Sequence, residues 1–267
     1  MRQDLVKCFV VGCSRSGTTL LSVMLDRHSQ LAMTPETGFY AEISPHLREN
    51  SKAELAALLS RWPRLSELDL TVDNVVDLCD EPISAGAAFS TILRLYADSR
   101  GKAFCGEKTP GHWRALDALL TDFPEAHIIF MIRDGRDASL SLASMPWWKR
   151  DLQAAAAVWL EAARTLRQFS KTHPDRLTVV HYENLAAEPL PILTSLMTKI
   201  GLAFEDRQLD SDRGSGIILQ RSMAWKGRAL TSVDQSRVGH WRTSATPDQA
   251  EFLNKTLETE LAYFGYL

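Results

Sequence analysis

The stretch VVGCSRSGTTLL, residues 10–21, passes from an apolar β-branched segment through a loop of small residues into the start of a helix. Val6 to Val11 is short, apolar and stopped by Gly12, which suits a strand buried on both faces of a parallel sheet. From Thr18 the run TTLLSVMLDRH has helical length and leucines at helical spacing. Gly12 and Gly17 keep the spacing of G-x-x-x-x-G-K-[ST], but Thr18 stands where that motif has lysine and Arg15 lies inside the loop. Such a loop converges backbone N–H groups on one anion at the positive end of a helix. Ser14, Ser16, Thr18 and Thr19 add hydroxyl donors, and Gly12 and Gly17 let the backbone come close. A plain βα turn is the alternative, and it leaves the crowding of small polar residues around an arginine unexplained.

Further strands and helices alternate along the chain. Leu31 to Met33 reads as a short strand, KAFCGEKTP (102–110) as a strand breaking at Pro110, and RLTVVHYENL (176–185) as another. AHIIFMIRD (126–134) carries five consecutive apolar residues, Ile128 to Ile132, which predicts a central place in the sheet. Helices are expected from Ser51, with a Ser51-x-x-Glu54 capping box, over 85–100, over 151–173, over 189–201 with Gly201 at the cap, and over 247–264. The pattern predicts one α/β domain over 1–267, a three-layer P-loop-type fold with a mostly parallel central sheet flanked by helices. The helical segment 50–100 and the loop 205–246 are the expected covers of a site.

Composition narrows the function. A net charge of -3 over 267 residues gives no global attraction to nucleic acid, so any anion site is local. The four cysteines show no C-x-x-C spacing and the seven histidines no H-E-x-x-H, which argues for a reducing compartment and against a metal site. No apolar run approaches the ~18 residues that span a bilayer. The chain starts MRQDLVKCFVVG, straight into a strand without a signal peptide, so a cytoplasmic protein is expected. Its oligomeric state is not readable.

A phosphate loop without lysine suits a cargo less charged than the terminal phosphates of ATP. A sulfuryl group on a 5′-phosphate carries one fewer negative charge than a terminal phosphoryl group, so protein cations without a metal can serve it. RSGTTLL and its preceding strand resemble the 5′-phosphosulfate loop of sulfotransferases that use 3′-phosphoadenosine 5′-phosphosulfate. Most cytosolic members have lysine at the place of Arg15, and the Arg-Ser-Gly-Thr-Thr form resembles the tyrosylprotein sulfotransferases and many bacterial relatives. In IIFMIRDGRDASLSL, Arg133 ends the strand and Ser141 follows eight residues later. An arginine fork and a hydroxyl there suit one more phosphate, and the resemblance implies that this pair holds the 3′-phosphate, which ATP lacks. A carboxylate partner for Arg133 and a solvated Ser141 are the plain alternative.

The resemblance also implies a tyrosine after a strand at the adenine end, matched by Tyr182, and a late covering loop. Of that loop only a compressed form is present, with Arg237, Gly239, Trp241 and Arg242, and SVDQ suggests Ser232 near the phosphosulfate. For the base that deprotonates the acceptor, the tyrosylprotein branch implies Glu36 in MTPETGFY, with Glu107 as second candidate and His112 and His240 as outside ones. Lys108 matches a lysine that neutralises charge on the leaving bridge. Phe39, Tyr40, Trp113, Trp147 and Trp148 are candidates for an acceptor pocket, core packing being their commoner use. The expected reaction is metal-independent sulfuryl transfer by in-line displacement to a hydroxyl or amine acceptor on a small molecule, carbohydrate, lipid or peptide, releasing adenosine 3′,5′-bisphosphate. The rivals are a P-loop kinase or NTPase with a degenerate loop, in which Asp134 would be the metal carboxylate, and a non-catalytic nucleotide-binding protein.

Overall fold

The computed structural model of the chain describes residues 5–210 and 235–267. Strands β1 (Val6–Gly12), β2 (Leu31–Met33), β3 (Phe104–Lys108), β4 (His127–Ile132) and β5 (Leu177–His181) form a parallel sheet in the order β2-β3-β1-β4-β5. The middle strand is β1; β4, expected at the centre, lies beside it and is buried at all of its positions. Successive residues point to opposite faces. Phe9, Val11, Ile128, Phe130 and Ile132 enter one core, and Cys8, Val10, Ile129, Met131 and Val180 enter the other.

Helices Ala85–Ser99, Leu152–Thr172 and Pro247–Tyr263 cover the first face through Phe89, Trp159 and Leu257. Helices Thr18–Asp26 and Pro189–Lys199 cover the second through Leu21, Leu193 and Met197. This is the three-layer P-loop-type arrangement. Within 50–100, Leu55, Leu59, Trp62, Leu65 and Leu68 belong to the first core, so the segment is rooted in the main packing. Helix Pro189–Lys199 ends on Gly201 (φ 73°), with Leu202 N–H to Met197 O at 2.9 Å and Gly201 N–H to Thr198 O at 3.1 Å, the two bonds of a Schellman cap.

Two local expectations change. Ser51 Oγ accepts from Glu54 N–H at 3.2 Å, but the Glu54 carboxylate takes the N–H groups of Arg48, Glu49 and Asn50. Three loop donors thus win the carboxylate that a closed box would turn back onto Ser51. The run RLTVVHYENL is strand only to His181, and Tyr182 opens the helix Tyr182–Ala187.

His127, at the start of β4, lies 2.8 Å from Thr178 Oγ1 through Nε2. Burial, with the positive charges of Lys199 and Arg176, pushes its pKa from 6.5 down to about 4. The unfolded imidazole then takes a proton at a higher pH than the folded one. Folding stability should therefore fall as pH drops from about 6.5 to about 4. Urea unfolding at stepped pH should show this slope, and His127→Gln should flatten it.

Candidate active site

β1 delivers the loop Cys13–Gly17 to the carboxyl edge of the sheet, where open α/β folds place their ligands. Gly12 has φ 144°, and a Cβ there would stand 2.3 Å from the Met131 carbonyl oxygen, so the loop leaves β1 pressed against β4. Gly17, at φ 90°, is the N-cap of helix Thr18–Asp26 and brings no side chain to the helix's first turn. A Cβ at Gly17 would meet the Tyr182 ring at 2.6 Å, which sets that tyrosine directly on the loop. Ser16 is fully buried, and its Oγ has no hydrogen-bond partner among the described residues. A buried hydroxyl of this kind costs free energy unless a ligand completes it.

Arg133 follows β4 and is 7% exposed. It donates from Nη1 to the Arg15 carbonyl at 3.2 Å and from Nη2 to the Arg237 carbonyl at 2.6 Å, and Nη2 stands 3.5 Å from the Asp137 carboxylate. Its guanidinium lies 4.8 Å from the Tyr182 ring centroid, a cation–π contact. Its Nε is buried with no hydrogen-bond partner among the described residues. The Trp159 indole N–H donates to the Arg133 carbonyl at 2.9 Å, and Trp159 packs so closely on Gly135 that a Cβ there would stand 2.7 Å from the indole ring. These contacts fix the arginine at the strand end.

Ser141 sits on helix Gly135–Ala143 and accepts from Arg15 Nε at 3.2 Å. Arg15 has a left-handed backbone, φ 74°, and its side chain crosses to that helix. The residue expected at the transferring group therefore meets the serine expected at the 3′-phosphate. Asp137, one turn after Arg133, accepts from Gly239 N–H at 2.8 Å and Trp241 N–H at 2.7 Å, docking the late segment here. Arg136 covers the Trp241 ring at 4.1 Å. Arg15, Arg133, Ser141, Tyr182, Arg237, Gly239 and Trp241 thus form one cluster, while Ser232 lies outside the described residues. Asp134 is held by Arg136 through Nε at 2.9 Å and Nη2 at 2.7 Å. A carboxylate clasped in this way is not the metal ligand that a kinase reading needs. Among the described residues no group of three or more His, Cys, Asp or Glu side chains is placed to hold a metal ion.

The acid end of the site hangs on β3. Lys108, its last residue, is 1% exposed and donates to Glu36 Oε1 at 2.7 Å, and the Glu36 side chain is 30% exposed. Glu36 is therefore the carboxylate of this region that solvent, and hence a substrate, can reach. Glu107 is fully buried. Its Oε1 accepts from Thr37 Oγ1 at 2.9 Å and Thr109 Oγ1 at 2.5 Å, and its Oε2 pairs with His112 Nδ1 at 3.0 Å. Burial pushes the Glu107 pKa up, but His112 and the hydrogen bonds from Thr109 and Thr37 outweigh it and hold the carboxyl below its ordinary value. His112 Nε2 accepts from Tyr40 N–H at 3.3 Å, which assigns the proton to Nδ1. Phe39, Tyr40 and Trp113 are core residues, and of the five aromatic candidates only Trp147 is exposed. Thr37, Thr109 and Asp137 enter the site without having been singled out in the sequence. For Asp137 the available signal was its i,i+4 spacing from Arg133.

The chain is similar to known proteins. The Danio rerio protein-tyrosine sulfotransferase 1 is 24% identical over 260 residues, covering 90% of this chain and 66% of the relative. The nodulation protein NoeE of Sinorhizobium fredii is 30% identical over 137 residues, covering 51% of this chain and 31% of the relative. The chain thus spans about one third to just under two thirds of the length of these relatives. The solved sulfotransferase domain from the Synechococcus PCC 7002 olefin synthase superposes with TM-score 0.70 at 21% identity, covering 95% of this chain and 94% of that one. Mouse sulfotransferase SULT7A1, solved in complex with PAP, gives TM-score 0.51 at 14% identity, covering 98% and 86%. At these identities the structural likeness is one of fold. Residues 8–206 match the model of the Sulfotransferase family, and on that match the chain belongs to the sulfotransferase family.

Proposed function

We propose that this protein transfers a sulfuryl group from 3′-phosphoadenosine 5′-phosphosulfate to a hydroxyl or amine acceptor without a metal. The observation that carries the reading is an arginine and a serine held beside the lysine-free loop, groups suited to a second anion. Arg133, buried with an Nε that has no hydrogen-bond partner among the described residues, follows β4, Ser141 lies on the next helix, and Arg15 touches both, through its carbonyl and its Nε. The buried Ser16 hydroxyl inside the loop supports the fit to a 5′-phosphosulfate. The donor supplies an electrophilic sulfur and a stable bisphosphate leaving group.

The chain's own residues would do the rest. Backbone N–H groups of residues 14–19, with the Ser14, Ser16, Thr18 and Thr19 hydroxyls and Gly17, hold the 5′ end. Arg133 and Ser141 hold the 3′-phosphate, and Tyr182 offers its ring at the adenine side. Arg237, Gly239 and Trp241 close over them, with Ser232 assigned to the transferring group. Arg15 brings a further cation into the cluster, and its release from Ser141 frees both groups for anionic oxygens. Glu36 takes the acceptor proton, and Lys108 beside it supplies positive charge for the leaving bridge. The Lys108–Glu36 pair argues against a non-catalytic binding protein, and the Arg136 clasp on Asp134 against a kinase.

We read the described chain as one domain, because the segment 50–100 shares the first core. The acceptor is a small molecule, carbohydrate, lipid or peptide. Four buried free cysteines suit a reducing, cytoplasmic setting, and no described helix is long and apolar enough to cross a membrane.

Isothermal titration in EDTA tests the donor assignment. Adenosine 3′,5′-bisphosphate should bind at least about tenfold tighter than adenosine 5′-monophosphate, the effect of one charge-assisted contact to the 3′-phosphate. Equal affinities would remove the role given to Arg133 and Ser141.

A further inference from the structure

Glu36 lies on a connection without regular structure. β2 ends at Met33, and its ladder to β3 is continued by one bond, Thr34 N–H to the Gly106 carbonyl at 3.0 Å. Beyond it, side chains hold the connection. Thr109 Oγ1 accepts from the N–H groups of Thr37 and Gly38, both at 3.0 Å, and donates to Glu107 Oε1 at 2.5 Å. A hydroxyl has one donor and two acceptor sites, so Thr109 is used to capacity. Thr37 Oγ1 donates to the same Glu107 oxygen, and His112 fixes the other. Residues 107 and 109 therefore grip residues 37 and 38, while Lys108 between them touches Glu36. Thr37, Glu107, Lys108 and His112 are each no more than 1% exposed.

Resting on the reading above, we propose that Thr109 and Glu107 are positioning residues that act through Glu36, clamping Thr37 and Gly38 so that the Glu36 carboxylate stays at Lys108 and facing the acceptor. Two residues named in the sequence as alternative bases, Glu107 and His112, thereby become the support of the base. The clamp holds backbone N–H groups, so its effect on Glu36 is geometric, and misplacing a reacting group by about 1 Å can cost about 10²-fold in rate. Serine reproduces all three bonds of Thr109 and valine none.

A double-mutant cycle tests this, with kcat for sulfuryl transfer, donor KM and thermal unfolding followed together. Thr109→Val should lower kcat about 10- to 100-fold and leave the donor KM within about threefold. Thr109→Ser should return kcat to within about threefold of the parent. In the Glu36→Gln background, adding Thr109→Val should change kcat less than about twofold, because the group through which it acts is already gone. Glu107→Gln taken through the same cycle should give the same non-additivity, and it carries the test if Thr109→Val does not fold. Equal losses in both backgrounds, or unchanged kcat in Thr109→Val, overturn the proposal. A parent protein with no turnover, or a Glu36→Gln variant as active as the parent, instead overturns the reading on which it rests.

Discussion

Glu36→Gln should lower kcat about 10²- to 10⁴-fold, the usual contribution of a positioned general base. Glutamine keeps the size of the side chain and a carbonyl oxygen to accept from Lys108 Nζ, now 2.7 Å from Glu36 Oε1. The buried lysine therefore keeps an acceptor, and the fold should hold. What the variant loses is the ability to take a proton. Affinity for adenosine 3′,5′-bisphosphate should stay within about threefold of the parent, since Glu36 is assigned to the acceptor and not to the nucleotide. Single-turnover rates and titration of the bisphosphate check the two halves. An unchanged rate would sink the assignment of Glu36, and Glu107 would not inherit it, being fully buried and already bound by Thr37, Thr109 and His112.

Arg133→Ala should weaken adenosine 3′,5′-bisphosphate about 10- to 100-fold and leave adenosine 5′-monophosphate within a few fold. A hydrogen bond to a charged group is worth about 1.5–3 kcal/mol, and about 1.4 kcal/mol is tenfold in affinity. The selective loss distinguishes a 3′-phosphate ligand from a residue that merely supports the loop. Arg133 also stands 3.5 Å from Asp137, whose side chain is 1% exposed, so the alanine variant removes a cation from a buried carboxylate and should melt lower. Arg133→Lys separates the effects, because it keeps the charge beside Asp137 but loses the planar fork. It should recover most of the melting temperature and only part of the affinity. Titration of both nucleotides against the parent and the two variants gives the comparison.

The fold was legible where local pattern decides it. The apolar runs at β1 and β4, the glycine loop and the proline-bounded helices stand in the sequence because burial on both faces and turn chemistry leave local marks. Tyr182 lies two residues past the β-branched run Thr178–Val180 that marks the strand. It starts a helix where Glu183 takes the Asp134 N–H at 2.9 Å and the Tyr266 hydroxyl at 3.0 Å, contacts that no short window contains. Uniform burial marks β4 as an interior strand, paired on both sides, without saying which interior strand is the middle one.

The site divided the same way. Arg15 lies in the loop after β1, Arg133 just after β4 and Ser141 on the helix that follows, and this strand-to-helix context marks them as candidates in the sequence. The support around Glu36 joins residues 70 to 72 positions apart, so Thr37 and Thr109 look like ordinary loop threonines until the chain is folded. Phe39 and Tyr40 come three and four residues after Glu36, a place from which they could equally have lined a pocket. They are instead buried with Phe89, the Phe39 and Phe89 rings stacked at 4.3 Å between centroids. The contact between Arg15 and Ser141 was equally hidden, because it spans 126 positions.

The most direct measurement is acceptor-dependent release of adenosine 3′,5′-bisphosphate from 3′-phosphoadenosine 5′-phosphosulfate, with a panel of hydroxyl and amine acceptors in EDTA and the sulfated product followed in parallel. Matched release and product are expected with at least one acceptor, both lost in Glu36→Gln. Failure of the parent protein to bind the bisphosphate, or turnover that requires Mg²⁺ and ATP, would contradict this expectation.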